Sequence, residues 1–194
     1  MDLRICFLGD SLTFGQGDDT ALGWPGRAVI AAQTAGVNLT GYNLGVRGDT
    51  GAQIAARAAA EAKARFRSGD AKAVAIFFGA NDIGQDLPLA DSLAALHALL
   101  DWAAAHRFTA FVLSPPVFDE PMADALAAGM TAAFAAICAE RGVAYLDLRD
   151  AGVDWTLWWA QARAGDGVHP GADAYASLAR AFCDWAAWRD WTGR

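Results

Sequence analysis

Leu3-Arg4-Ile5-Cys6-Phe7-Leu8-Gly9-Asp10-Ser11-Leu12 is an almost unbroken apolar run that ends in a glycine, an acid and a hydroxyl. A run of this kind, without polar alternation, reads as a strand covered on both faces, as in parallel sheets. Further runs of the same character occupy 73–78, 108–113 and 143–148, and a weaker one lies at 41–44. The segments between them have helical periodicity. Ile54, Ala58, Ala62 and Phe66 fall four apart, and Leu89, Leu93, Leu96, Leu100 and Ala103 alternate four and three. Leu126, Met130, Ala133 and Ile137 make a third stripe, and Tyr175, Leu178, Phe182 and Trp185 or Ala186 a fourth. Thr50 and Asp86 are candidate helix starts, Asp86 standing two residues before Pro88. Strands alternating with helices predict an α/β protein, a parallel sheet with helices on both faces. With no repeat, linker or low-complexity segment, residues 1–194 are expected to form one domain.

The composition narrows the function. Acids outnumber bases by 22 to 15, a net charge of −7. That balance argues against nucleic acid and against an anionic membrane surface, both of which require a basic face. Cys6, Cys138 and Cys183 are odd in number, lie in apolar stretches and form no Cys-x-x-Cys pair, which suits reduced thiols in a cytoplasmic protein. The N-terminal apolar run is too short for a signal peptide, although secretion after removal of a leader stays open. No stretch reads as a bilayer-spanning segment, so no membrane insertion is expected.

In open parallel sheets the ligand crevice lies outside the carboxyl ends of the strands. Ser11 follows the first strand, Gly48 the second, Asn81 the third, and Asp166 and His169 the last, so all five should meet at one sheet edge. Their chemistry is complementary. A serine hydroxyl attacks a carbonyl only if a base takes its proton, and His169 is the best placed of three histidines. Asp166, three residues earlier, can accept from the imidazole and fix its tautomer. The Ser11 N–H, the Gly48 N–H and the Asn81 amide make three donors for an oxyanion. Asp10 and Asp82 could alternatively hold Mg²⁺, but no third acid recurs with them. Neither Gly-x-Gly-x-x-Gly nor a Walker lysine is present at the first turn.

Two segments are expected to border the crevice, 114–121 and 150–165. They contribute Pro116 and a loop bearing Trp155, Trp158 and Trp159, which would wall an acyl chain or a sugar face. With Asp10, these are the candidates for substrate contact. Trp185, Trp188 and Trp191 fall three apart and are expected to pack on the sheet, any exposed part being available to a homo-oligomer contact.

Four blocks in this order resemble the GDSL, or SGNH, hydrolase family of esterases and lipases. Gly9-Asp10-Ser11-Leu12 matches the first block, 43–50 the second, Gly79-Ala80-Asn81-Asp82 the third, and 166–169 the last. The resemblance covers nearly the whole chain without a departure at the catalytic positions. It assigns the glycine donor to Gly48 rather than Gly45. It implies a flavodoxin-like three-layer α/β/α sandwich with a five-stranded parallel sheet, and a site needing no metal or organic cofactor. The implied activity is hydrolysis of small acyl esters through an acyl-enzyme on Ser11, with His169 as base and Asp166 orienting it. The partner is then a small acyl ester or an acetylated sugar. A carbohydrate O-deacetylase or a thioesterase would use the same groups. An acyltransferase or a non-catalytic glycan- or acyl-binding module are the remaining readings.

Overall fold

The computed structural model describes residues Met1–Arg194. Five strands, β1 (Leu3–Gly9), β2 (Leu39–Gly45), β3 (Ala71–Phe77), β4 (Thr109–Leu113) and β5 (Ala144–Leu146), form one fully parallel sheet. Their spatial order is β2-β1-β3-β4-β5, the flavodoxin-like order. The helices are α1 (Ser11–Phe14), α2 (Gly23–Thr34), α3 (Gly51–Arg65), α4 (Ala80–Gly84), α5 (Leu89–Ala105), α6 (Pro121–Arg141), α7 (Trp155–Ala164), α8 (Ala172–Asp184) and α9 (Ala186–Thr192).

Alternation along β1 divides the interior into two layers. Leu3, Ile5 and Phe7 point into a core shared with Trp24 and Ala28 of α2, Trp158 of α7, and Tyr175, Leu178 and Phe182 of α8. Cys6 and Leu8 point the other way, among Ile54, Ala58 and Ala62 of α3, Leu96 and Leu100 of α5, and Met130 and Phe134 of α6. The sheet is thus the middle of three layers, with α2, α7, α8 and α9 on one face and α3, α5 and α6 on the other. Burial removes water from Cys6 and Cys138 and pushes their thiols up, to about 12 and about 11.

The structure revises several sequence expectations. The weak strand expected at 41–44 is a full seven-residue strand, β2. Its burial is patchy because it lies at the sheet edge, so its pattern is faint. Residues 150–165 are not simply a loop: Asp154 accepts from the Leu157 N–H at 2.8 Å and starts α7. Thr50 does begin α3, its N–H donating to Gln53 at 2.8 Å. Asp86 caps nothing; it has φ of 53° and the helix begins after Pro88. In α6 the buried stripe runs through Ala127, Met130, Phe134, Ile137 and Cys138, and Leu126 is 53% exposed. By length and composition α6 could also cross a bilayer, which the sequence reading overlooked because alanine supplies most of its apolarity.

Phe111 of β4 is the centre of the aromatic packing on the first face. Its ring lies edge-on to Phe182, Trp185, Trp188 and Trp191, with centroids 5.6–6.2 Å away. The three C-terminal tryptophans therefore reach the sheet, but across a break at Trp185 that separates α8 from α9. Phe111→Ala should lower the unfolding free energy by about 3–5 kcal/mol in urea titration, because four large neighbours cannot all collapse into the space.

Candidate active site

The site follows from the direction in which the chain leaves each strand. After β1, Asp10 adopts an extended conformation and its Oδ1 accepts from the Leu12 N–H at 2.8 Å, starting α1. Ser11 is thereby the first residue of a helix, where backbone N–H groups have no intrahelical acceptor. Its N–H has no acceptor elsewhere in the protein. Gly9 permits the tight approach, since a Cβ there would stand 2.0 Å from Thr13 Oγ1 and 2.4 Å from the Phe77 carbonyl.

Ser11 Oγ lies 2.9 Å from His169 Nε2, and His169 Nδ1 lies 2.7 Å from Asp166 Oδ2. The other Asp166 oxygen accepts from the N–H groups of Val168 and His169, at 3.0 and 2.8 Å. Asp166 is held below the usual carboxylate range, first by the His169 side chain and then by those two backbone donors. The imidazole so oriented can take a proton from the Ser11 hydroxyl. His97 and His106 lie elsewhere, beside Arg141 and the Trp102 carbonyl respectively.

Gly48 occupies an exposed turn with φ of 85°, and a Cβ on it would meet nothing within 4 Å. Its N–H, like that of Ser11, has no acceptor in the protein. Asn81 differs. Its Nδ2 donates to the Asp49 carbonyl at 2.9 Å and to Asp10 Oδ2 at 3.2 Å, so both amide hydrogens are engaged at rest. The three donors named from sequence thus come together in two forms, two free backbone groups and one occupied amide.

Ser11, Gly48, Asn81 and His169 line one cleft of about 370 Å³, within the range of small-ligand sites. Its apolar wall comprises Pro116, Phe118, Trp158, Trp159 and Val168. Trp155, expected in this wall, instead donates from its indole to the Leu148 carbonyl at 3.1 Å and does not reach the cleft. Asp10, expected to touch substrate, is 1% exposed and lies beneath the site. The wall is fastened by polar contacts. Trp159 donates to the Val117 carbonyl at 2.9 Å, Arg163 pairs with Asp119, and the Phe118 N–H donates to Asp124, which Arg149 holds at 2.7 Å.

Arg47, Phe118 and Val168 also line the cleft and Arg57 lies beneath it, none of them singled out by the sequence motifs. Arg47 and Val168 adjoin Gly48 and His169, so adjacency was the available signal. Arg57 carries none, because it lies in the middle of α3. It donates to the carbonyls of Gly9 and Leu44, both at 2.8 Å, to Asp49 at 2.6 Å and to Glu61 at 2.9 Å.

Asp10 and Asp82, considered as Mg²⁺ ligands, are both engaged in the fold. Asp82 accepts from the Gly51 N–H at 2.9 Å and from Ser92 Oγ at 2.7 Å, joining α4 to α3 and α5. Asp10 is pushed up to about 7, chiefly by burial and further by the charges of Asp82 and Asp49, against the opposing Leu12 N–H.

A model described as the GDSL-like Lipase/Acylhydrolase family matches residues 7–176. Comparison with curated proteins finds no match. Among solved structures, a catalytic mutant of Axe2, an acetylxylan esterase from Geobacillus stearothermophilus, superposes with a TM-score of 0.77 at 21% identity. It covers 92% of this chain and 91% of its own. The psychrotrophic esterase EstA from Pseudoalteromonas sp. superposes with a TM-score of 0.74 at 19% identity, covering 98% of this chain and 99% of its own.

The burial of Asp10 has a measurable consequence. Between the unfolded carboxylate range, near pH 4, and about 7, the folded chain keeps a proton that the unfolded chain releases. The contribution of this group to stability is therefore full below about pH 4 and falls as pH rises to 7. In chemical denaturation, the stability of wild type minus that of Asp10→Asn should decrease across this window. A difference that stays flat would show that Asp10 is ionised in the fold throughout.

Proposed function

The chain belongs to the GDSL-like lipase/acylhydrolase family, a class acting on ester bonds, and we propose that it is a serine esterase for small acyl esters, working through an acyl-enzyme on Ser11. The observation carrying this reading is the continuous path from Ser11 Oγ through His169 to Asp166, with links of 2.9 and 2.7 Å, beside two unpartnered backbone N–H groups.

Ser11 Oγ bonds to the substrate carbonyl carbon as its proton passes to His169 Nε2. The carbonyl oxygen, now negative, collects the N–H groups of Ser11 and Gly48 and the Asn81 amide hydrogen that rests on Asp10 at 3.2 Å. The C–O bond to the alcohol then breaks, and His169 gives the departing oxygen its proton. Water, deprotonated by His169, attacks the acyl carbon, and Ser11 leaves with the proton as the acid is released. Asp166 keeps the Nδ1 hydrogen in place and stabilises the transient imidazolium.

A sugar acetate is the second reading, favoured by the aromatic wall of Phe118, Trp158 and Trp159. The likeness to an acetylxylan esterase supports it as well. Catalytic mutants of that enzyme replace one serine, one aspartate and one histidine, the last two three positions apart as Asp166 and His169 are. A thioester would meet the same groups, with sulfur as the leaving atom.

Hydrolysis of chromogenic esters from acetyl to decanoyl tests the reading, with acetylated xylosides and acyl thioesters in parallel. A cleft of about 370 Å³ should favour the shorter acyl chains. Ser11→Ala should lower kcat by at least about 10⁴-fold with an unchanged urea midpoint; wild-type rates from that variant would end the proposal. Asn81→Ala should lose on the order of 10²–10³-fold in kcat, and a smaller loss would assign the oxyanion to the two backbone donors alone.

A further inference from the structure

Arg47 is the one Lys or Arg in the lining of the cleft. It is exposed, and it makes no hydrogen bond or ion pair with the protein. Its nearest acid in sequence, Asp49, is unavailable to it because Arg57 holds that carboxylate at 2.6 Å. The acids near the site lie elsewhere. Asp10 and Asp82 are buried beneath it, and Asp19, Asp166 and Asp173 line a separate groove behind His169. The cleft therefore has two unlike parts, an apolar wall and, next to Gly48 in the chain, an arginine without a counter-ion.

We propose that the preferred substrates are esters bearing an anionic group, a carboxylate in the simplest case, which Arg47 binds while the ester carbonyl sits at Ser11. This rests on the serine-esterase reading and specifies its substrate class. A guanidinium presents a planar fork of donors that matches a carboxylate, so the contact selects by geometry as well as charge. The anion could belong to the acyl half or to the alcohol half of the ester, and paired substrates separate the two. For the acyl half the pair is 4-nitrophenyl monoadipate and 4-nitrophenyl hexanoate. For the alcohol half it is an acetylated methyl glucuronoside and the corresponding acetylated methyl glucoside.

The quantity to measure is the ratio of kcat/KM, anionic over neutral, within each enzyme. Wild type should favour the anionic member of at least one pair by roughly tenfold, the worth of one charge-assisted hydrogen bond. Arg47→Gln should lose this preference, Arg47→Lys should keep part of it, and 0.5 M NaCl should weaken it. Arg67→Gln, which removes an equal charge at the opposite end of the sheet before β3, should leave the ratio in place. Equal ratios in wild type and Arg47→Gln for both pairs would overturn the proposal, and so would an equal loss in Arg67→Gln. Calorimetric binding of the uncleaved esters to Ser11→Ala, with and without Arg47→Gln, reads the same contact without turnover. If wild type cleaves no ester yet the anionic members bind through Arg47, the esterase reading fails and the anion site stands.

Discussion

The site exists because the chain leaves β1 and β3 toward opposite faces of one sheet. Parallel strands joined by right-handed crossovers cannot place their helices freely. Moving from β1 to β2 puts α2 on one face, and moving the other way, from β2 past β1 to β3, puts α3 on the opposite face. The segments that follow the two central strands therefore diverge, and a crevice opens between them at their carboxyl ends. Ser11 stands at one lip and Asn81 at the other. The last part of the chain must then return from β5, at the far edge, to complete the site. It does so through α7 and α8, and Tyr175 secures the return by donating to the Gln16 carbonyl at 2.8 Å.

A crevice formed by diverging segments has little apolar packing at its base, and buried polar contacts hold it instead. Arg57 spans the gap from α3 to the ends of β1 and β2, donating to the Leu44 carbonyl and to the Gly9 carbonyl, which also accepts from the Val46 N–H, and fixing Asp49. Asp49 in turn offers its carbonyl to Asn81. Asp82 ties the next turn to the start of α3 and to α5. Each contact is modest alone, but loss of one partner strands another buried polar group, at a cost of about 1–3 kcal/mol. Carbonyls and carboxylates under the cleft floor thus help to position Gly48 and Asn81, the proposed oxyanion donors, while Asp10 starts the helix that presents Ser11.

Much of this was legible from sequence because it depends on local pattern. Doubly covered strands read as continuous apolar runs, which made β1, β3 and β4 plain, and the run at 143–148 marked β5 although it is an edge strand. The edge strand β2 was faint because only Leu39 and Leu44 are buried in it. Short polar blocks at strand ends revealed Ser11, Gly48, Asn81, Asp166 and His169, since glycine, amide and hydroxyl at such turns have few structural reasons to coincide. Contacts between distant elements were not legible. Arg57 looks like any helix arginine, and its four acceptors become neighbours only when β1, β2 and α3 assemble. Trp155 and Trp159 are chemically alike and four residues apart, yet one supports Leu148 while the other borders the cleft. Their indole hydrogen-bond partners decide this, and no periodicity reveals them. Asp10 misled in the opposite way, since an acid beside Ser11 suggests ligand contact when its carboxylate is turned inward.

That inward carboxylate carries the remaining tension in the site. In the proposed mechanism an oxyanion forms within reach of Asn81, whose amide already leans on Asp10. An ionised Asp10 would draw the amide toward itself and set a negative charge near the charge that develops in the reaction. A protonated Asp10 avoids the repulsion and releases the amide hydrogen more readily. Burial favours the protonated form, pushing the group up to about 7, while the Leu12 N–H favours the ionised one. The same carboxyl that starts α1, and so presents Ser11, also accepts from the Asn81 amide. The start of α1 and the proposed oxyanion donor therefore share one buried group.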